Sequence, residues 1–326
     1  MKKIIVRVLA GLAALVLLAV VGMSVKFYAL SPRSRPAPAM TAPTTPEAIA
    51  RGKYIAHHAA ACLGCHSPVQ EEVPGEPPIE GRLGAGRDFG DWGPNVPFHV
   101  RAPNLTPDKE TGIGNMTDGE VVRGMREGVG KDGHALFPQM PYQTYAETLS
   151  DDDALAVVAY LRTLPAIKND PGKMTVKFPV SMFIRAAPKP LEASPPPAPS
   201  PNDKIARGNW LLKVCSCNDC HDSVNARHEK LPGMSMAGGQ TFPLPNGKGM
   251  AIAPNITADN GTGIGAYSNE DLRRVFEEGK GKSGRSLYVM PWSYYTGLTK
   301  DDKDALYAAL RTIPAVVNNV PGSVIK

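Results

Sequence analysis

Several things are scarce in this 326-residue sequence, and each scarcity removes a class of function. Aromatic residues make up only 6% of the chain, and no basic run carries interleaved aromatics, which argues against a nucleic-acid-binding surface. The formal net charge of +5 is modest, and part of it lies in Lys2, Lys3 and Arg7. Cysteine is limited to five residues, all in two short clusters, so no disulfide framework is spread along the chain. Neither cluster is accompanied by a second Cys/His pair, as a closed zinc site would require. No stretch alternates convincingly with period two, which predicts an all-α fold rather than a sheet-based one. What remains is a globular composition, 42% hydrophobic and 21% charged, long enough for two domains.

The first residues set the compartment. After the basic start, Val8 to Val25 run for 18 residues without a charge. As a helix this run is about 27 Å long, close to the ~30 Å hydrocarbon core of a bilayer. Positive charge before it predicts an N-inside orientation, with Phe27 and Tyr28 at the far interface. No small-x-small site directly follows the run, so an uncleaved anchor is expected over a cleaved signal peptide. Under either alternative the remainder is exported. A proline-rich segment, 31–45, is expected to be a stiff stalk.

Beyond the stalk the chain is one unit written twice. AIARGKY (48–54) matches KIARGNW (204–210), and APNLTPDKETGIG (102–114) matches APNITADNGTGIG (253–265). FPQMPYQTY matches YVMPWSYY, and AYLRTLPA matches AALRTIPA. Such agreement implies two homologous domains, at 46–172 and 201–326, joined by a connector at 173–200. Within the connector, SPPPAPSP (194–201) reads as a separator, whereas VKFPVSMFIRAA (176–187) is too apolar for a free linker and is expected to pack on the domains. Thr45-Pro46, Thr117-x-x-Glu120, Ser150-x-x-Asp153, Ser268-x-x-Asp271 and Thr299-x-x-Asp302 mark helix starts, and Gly128 and Gly279 mark helix ends.

Both cysteine clusters contain C-x-x-C-H: Cys62-Leu-Gly-Cys65-His66 and Cys217-Asn-Asp-Cys220-His221. Two cysteines three apart on a helical turn can each form a thioether to a haem vinyl group, and the next histidine can ligate the iron. Two covalent haems are therefore expected. A ligand for the opposite face should recur in both copies. Met140 and Met290 do so, each before proline and an aromatic residue, 74 and 69 residues after their histidines. The remaining histidines, His57, His58, His99, His134 and His228, are expected at the surface or a haem edge. Asn104, Asn255, Arg82 and Arg101 are candidates for contacting haem propionates or for satisfying turns. Cys215, opposite Ala60, is either a small packed residue or a spare thiol.

On these motifs the sequence resembles the multihaem cytochrome c subunits of membrane-bound bacterial dehydrogenases acting on alcohols, aldehydes or gluconate. The likeness covers nearly all of 47–326. It implies tandem class I cytochrome c domains with His66/Met140 and His221/Met290 haems. It also implies a role in electron transfer, not catalysis. Many members of that family have three such domains, whereas two are found here. Partners are expected among dehydrogenase subunits, a respiratory membrane complex or an oxidase, at the periplasmic face of the inner membrane. A dihaem enzyme, such as a peroxidase or a thiosulfate-oxidising cytochrome, is the alternative. It would need one haem with an open iron.

Overall fold

The computed structural model describes residues 2–91, 96–226, 228–244, 247 and 249–325. Helix α1 (Lys2–Ser24) extends through a wider π-type turn, Val25–Ala29, and buries no residue of its own. The span Lys2–Ala29 is long and apolar enough to cross a membrane.

The first repeat contains α2 (Pro46–Tyr54), a π-type turn (Ile55–Ala59), α3 (Cys62–Cys65), strands β1 (Arg87–Asp91) and β2 (Phe98–Ala102), α4 (Asp118–Glu127), α5 (Tyr142–Thr148), α6 (Asp151–Arg162) and β3 (Thr175–Val176). Then comes α7 (Val180–Arg185) in the connector. The second repeat follows the same order, with α8 (Lys204–Val214), α9 (Cys217–His221), β4 (Thr241–Pro243), β5 (Gly249–Ile252), α10 (Asn269–Glu278), α11 (Trp292–Tyr295), α12 (Lys300–Leu310) and β6 (Val324–Ile325).

The strands correct the all-α expectation. Each repeat carries a three-stranded antiparallel sheet, β1-β2-β3 or β4-β5-β6. The third strand of each is supplied by chain that follows the repeat's last helix. These strands are two to five residues long, too short to display an alternating pattern, and β1 is polar, reading RDFGD. Cross-strand charge pairing holds it instead: Asp88 faces Arg101 in register, and their side chains meet at 2.9 Å.

In each repeat the first and last helices cross at a glycine. A Cβ on Gly52 would lie 1.8 Å from the Ala156 carbonyl oxygen, and one on Gly208 would lie 2.1 Å from that of Ala305. Beside each crossing an arginine from the first helix grips an aspartate in the first turn of the last. Arg51 meets Asp153 at 2.8 and 3.1 Å, and Arg207 meets Asp302 at 2.7 and 2.9 Å. The helix starts read from sequence are all capped as expected, α4 and α10 by full capping boxes. Buried residues of both repeats form one contiguous core that includes Leu63, Tyr145, Leu211 and Tyr295.

The segments outside the repeats are bound, not free. The 31–45 stretch, expected as a stiff stalk, runs as a strap along α4. Arg35 pairs with buried Glu127 at 2.7 Å, Ala42 N donates to Asp118 at 2.8 Å, and the Pro38 carbonyl sits where a Cβ on Gly119 would be. The apolar part of the connector joins the first sheet as β3. It then places α7 against the end of the N-terminal helix, where packing on the repeats was expected.

Candidate functional site

Both C-x-x-C-H motifs begin the same way. The residue before the first cysteine, Ala61 or Ser216, adopts a left-handed conformation (φ 46° and 53°) that turns the chain sharply into a new helical turn. The approach differs by one residue: ten positions separate Gly52 from Cys62, and nine separate Gly208 from Cys217. The π-type turn absorbs the extra residue, closed by Ala60 N donating to the Ile55 carbonyl at 2.9 Å.

The histidines are held identically. His66 Nδ1 lies 2.8 Å from the Pro103 carbonyl oxygen, and His221 Nδ1 lies 2.9 Å from that of Pro254. A carbonyl only accepts, so Nδ1 carries the proton and Nε2 keeps its lone pair for a metal. Burial pushes both imidazoles below their ordinary range, which keeps the ring neutral, the form that ligates.

Those two carbonyls belong to the repeated Ala-Pro-Asn loops, and the asparagines lock them. Asn104 Nδ2 donates to the Ile167 carbonyl at 2.7 Å and to Thr111 at 3.1 Å, while its Oδ1 accepts from Thr106 N and Oγ1, both at 2.8 Å. Asn255 repeats the set with Val316, Thr262 and Thr257. These asparagines thus satisfy turn backbone. Arg101 is committed to Asp88 and the Lys173 carbonyl. Arg82 donates to Asn169, yet its buried Nε has no partner, a position that suits an anionic group.

All five cysteines are unbridged. Burial pushes the thiols up, Cys62 and Cys217 to about 12 and Cys220 to about 11, whereas a thioredoxin-type pair would be held low. Among the described residues no group of three or more His, Cys, Asp or Glu side chains is placed to hold a metal ion. Paired free thiols beside a histidine with a free Nε2 fit covalent haem.

Met140 and Met290 occupy equivalent, half-buried turns packed against the core, as do Cys62 and Cys217. Each methionine carbonyl accepts from the amide two residues on, at 2.8 Å in both copies. The aromatic residue after the Met-Pro pair fixes the turn. Tyr142 covers Gly128 and Trp292 covers Gly279, the left-handed C-cap glycines of α4 and α10, with ring atoms 2.6 and 2.1 Å from where a Cβ would stand. The Tyr142 hydroxyl is buried without a partner.

The two sites are also brought against each other, which the sequence reading did not anticipate. Tyr294, four residues after Met290, lays its ring on Gly64 inside the first attachment motif and donates to the Glu76 carbonyl at 3.1 Å. His58 Nδ1 donates to the Tyr294 carbonyl at 2.8 Å. Buried Tyr145 and Tyr295 donate equivalently to the carbonyls of Ala60 and Cys215, at 3.1 and 3.2 Å. His57 contacts Tyr160. Neither His57 nor His58 is therefore a plain surface residue, whereas His134 is exposed beside Asp132 and His99 is held between Asp88 and Asp91. Cys215 packs against the core.

Residues 49–165 match the family model described as Cytochrome c, so the chain carries a cytochrome c domain, and with it covalently bound haem c is implied. It is 29% identical over 245 residues to the gluconate 2-dehydrogenase cytochrome c subunit of Pantoea cypripedii, covering 71% of this chain and 51% of that one. It is 28% identical over 298 residues to the fructose dehydrogenase cytochrome subunit of Gluconobacter japonicus, covering 87% and 56%. The match to a diheme cytochrome c-type protein of Cereibacter sphaeroides is 26% over 290 residues, covering 86% and 90%. The chain thus spans little more than half the length of the dehydrogenase subunits it matches.

Proposed function

We propose that the chain is a membrane-anchored dihaem cytochrome c that relays electrons and converts no substrate itself. One haem would be held by Cys62, Cys65, His66 and Met140 in a domain at 46–172, the other by Cys217, Cys220, His221 and Met290 in a domain at 201–326. The observation that carries this reading is the recurrence of the histidine–proline carbonyl bond behind both C-x-x-C-H motifs. When bound, a haem of this kind supplies a one-electron couple at its iron.

The chain's own residues set how that couple behaves. Pro103 and Pro254 orient the imidazoles and make them better donors. The methionine thioethers favour reduced iron and raise the potential relative to a second imidazole. The Tyr294 contact on Gly64 keeps the two sites adjacent. Helix α1 would place both domains on the periplasmic face of the inner membrane. The likeness to dehydrogenase cytochrome subunits supports a dehydrogenase or a membrane complex as donor, and an oxidase or another cytochrome as acceptor. Intact-mass measurement with a pyridine haemochrome assay tests the reading directly. Two haems per chain are expected, and one or none overturns it.

A further inference from the structure

Helix α7 packs where it serves neither candidate haem site. It leaves the first repeat at β3, where Val176 pairs with Phe98 and Lys177 N donates to the Pro97 carbonyl at 2.7 Å. From there it runs to the far end of the N-terminal helix. The Phe183 ring meets the Phe27 ring edge-on with centroids 5.9 Å apart. Arg185 donates to the Phe27 and Ser31 carbonyls, both at 3.0 Å, and its guanidinium lies over Tyr28. Phe27 is 8% exposed through these contacts, the one deeply buried residue of the Lys2–Ala29 span.

The outer surface of this junction is apolar and basic together. Phe178 is 71% exposed and Phe183 63%, beside exposed Tyr28 and Leu30. Residues 173–191 contain Lys173, Lys177, Arg185 and Lys189 and no acidic residue. Exposed phenylalanines interleaved with cations, at the foot of a helix long enough to span a bilayer, match the chemistry of the lipid interface. There aromatic rings enter the acyl boundary and cations reach the phosphates.

We infer that segment 177–187 is a second membrane contact, an interfacial helix seated among anionic lipid headgroups with Phe178 and Phe183 inserted. The inference rests on the membrane anchoring proposed above. Its consequence is mechanical. Because β3 is part of the first sheet and α7 is clamped to the anchor, the first haem domain is held at a fixed height and tilt over the bilayer, not swung on a tether.

Site-directed spin labelling of the full haem-loaded chain in phosphatidylcholine–phosphatidylglycerol nanodiscs tests it. In a Cys215→Ala background, nitroxides are placed at Phe183→Cys, at Leu15→Cys within α1, and at Val317→Cys on the second repeat. Accessibility to oxygen is compared with accessibility to a nickel chelate, with the haem absorption spectrum as a check on folding. An oxygen-to-nickel ratio at 183 several-fold above that at 317 is expected. If 183 behaves like 317 while 15 reads as lipid-embedded, the inference fails and the anchor stands; the patch then faces water or a protein. If 15 also reads as aqueous, the anchor falls and the inference with it.

Discussion

One amide side chain holds each loop that presents a proline carbonyl to a histidine. Asn104 and Asn255 are both 2% exposed, and each makes a comparable set of buried hydrogen bonds. Truncating either to alanine strands several polar groups, at a cost of about 2–4 kcal/mol. Denaturant titration of Asn255→Ala should show a loss in that range with the haem still attached. The ligand assignment makes a separate prediction. Met290→His should lower one midpoint potential by roughly 0.1–0.3 V, within the ~0.8 V range that axial ligands span, and leave the other in place. A redox titration with both potentials unmoved removes Met290 from the site. At this scale the candidate side chains stand out in the sequence because they recur: cysteine pair, histidine and methionine each appear twice. The Pro103 and Pro254 acceptors were not legible, because a backbone carbonyl has no side-chain signature. Their only trace was the repeated Ala-Pro-Asn itself.

Elements show a similar division. Capped helix starts and C-cap glycines could be read in advance because each is a local matter of a few residues. The sheets could not, since β3 and β6 are two residues each and join their sheets from beyond the last helix of the repeat. The π-type turn left a trace only as the one-residue mismatch between repeats, and its consequence is chemical. It holds His57 against Tyr160, and burial, with His58 and Lys53 nearby, brings the His57 pKa down to about 4. The unfolded chain, with an ordinary histidine near 6.5, takes up this proton first. Stability from this source is therefore complete above about pH 6.5 and is lost as pH falls toward 4. His57→Gln should flatten the pH dependence of thermal stability in that window. The glycine crossings are stricter. Gly208→Ala sets a Cβ 2.1 Å from the Ala305 oxygen, so α8 and α12 must separate. A loss at or above the ~1–3 kcal/mol typical of overpacking is expected in chemical denaturation, and it should weaken the Arg207–Asp302 pair alongside.

Across the whole molecule the two repeats exchange contacts through their first helices. Tyr54 of α2 hydrogen-bonds Asp302 at the start of α12, and its counterpart Trp210 of α8 donates to the Thr148 carbonyl at 2.8 Å. Asp302 is thus shared: burial works against its charge, Arg207 and Tyr54 outweigh that, and its carboxyl is held below the usual range. A third contact, the Tyr294 ring on Gly64, ties the second methionine turn to the first attachment motif. Removing these links separates mechanical from electronic coupling. In Tyr54→Phe with Trp210→Phe, two hydrogen bonds between the repeats are lost, one of them part-buried and to a charged partner, a class worth about 1.5–3 kcal/mol. The repeats should then unfold in two resolved steps, seen as non-coincident transitions at the two proposed haems. Tyr294→Leu acts elsewhere. It leaves those interface bonds intact but opens the surface between the methionine turn at 288–292 and the motif at 62–66. The rate at which an electron placed on one proposed haem equilibrates with the other, followed by flash photoreduction, should fall several-fold with both potentials nearly unchanged, while the lost Tyr294 hydrogen bond and ring packing lower the unfolding midpoint. An unchanged rate would mean that the haems communicate by another route, past Tyr145 and Tyr295, and that the Tyr294 contact serves only to hold the repeats together.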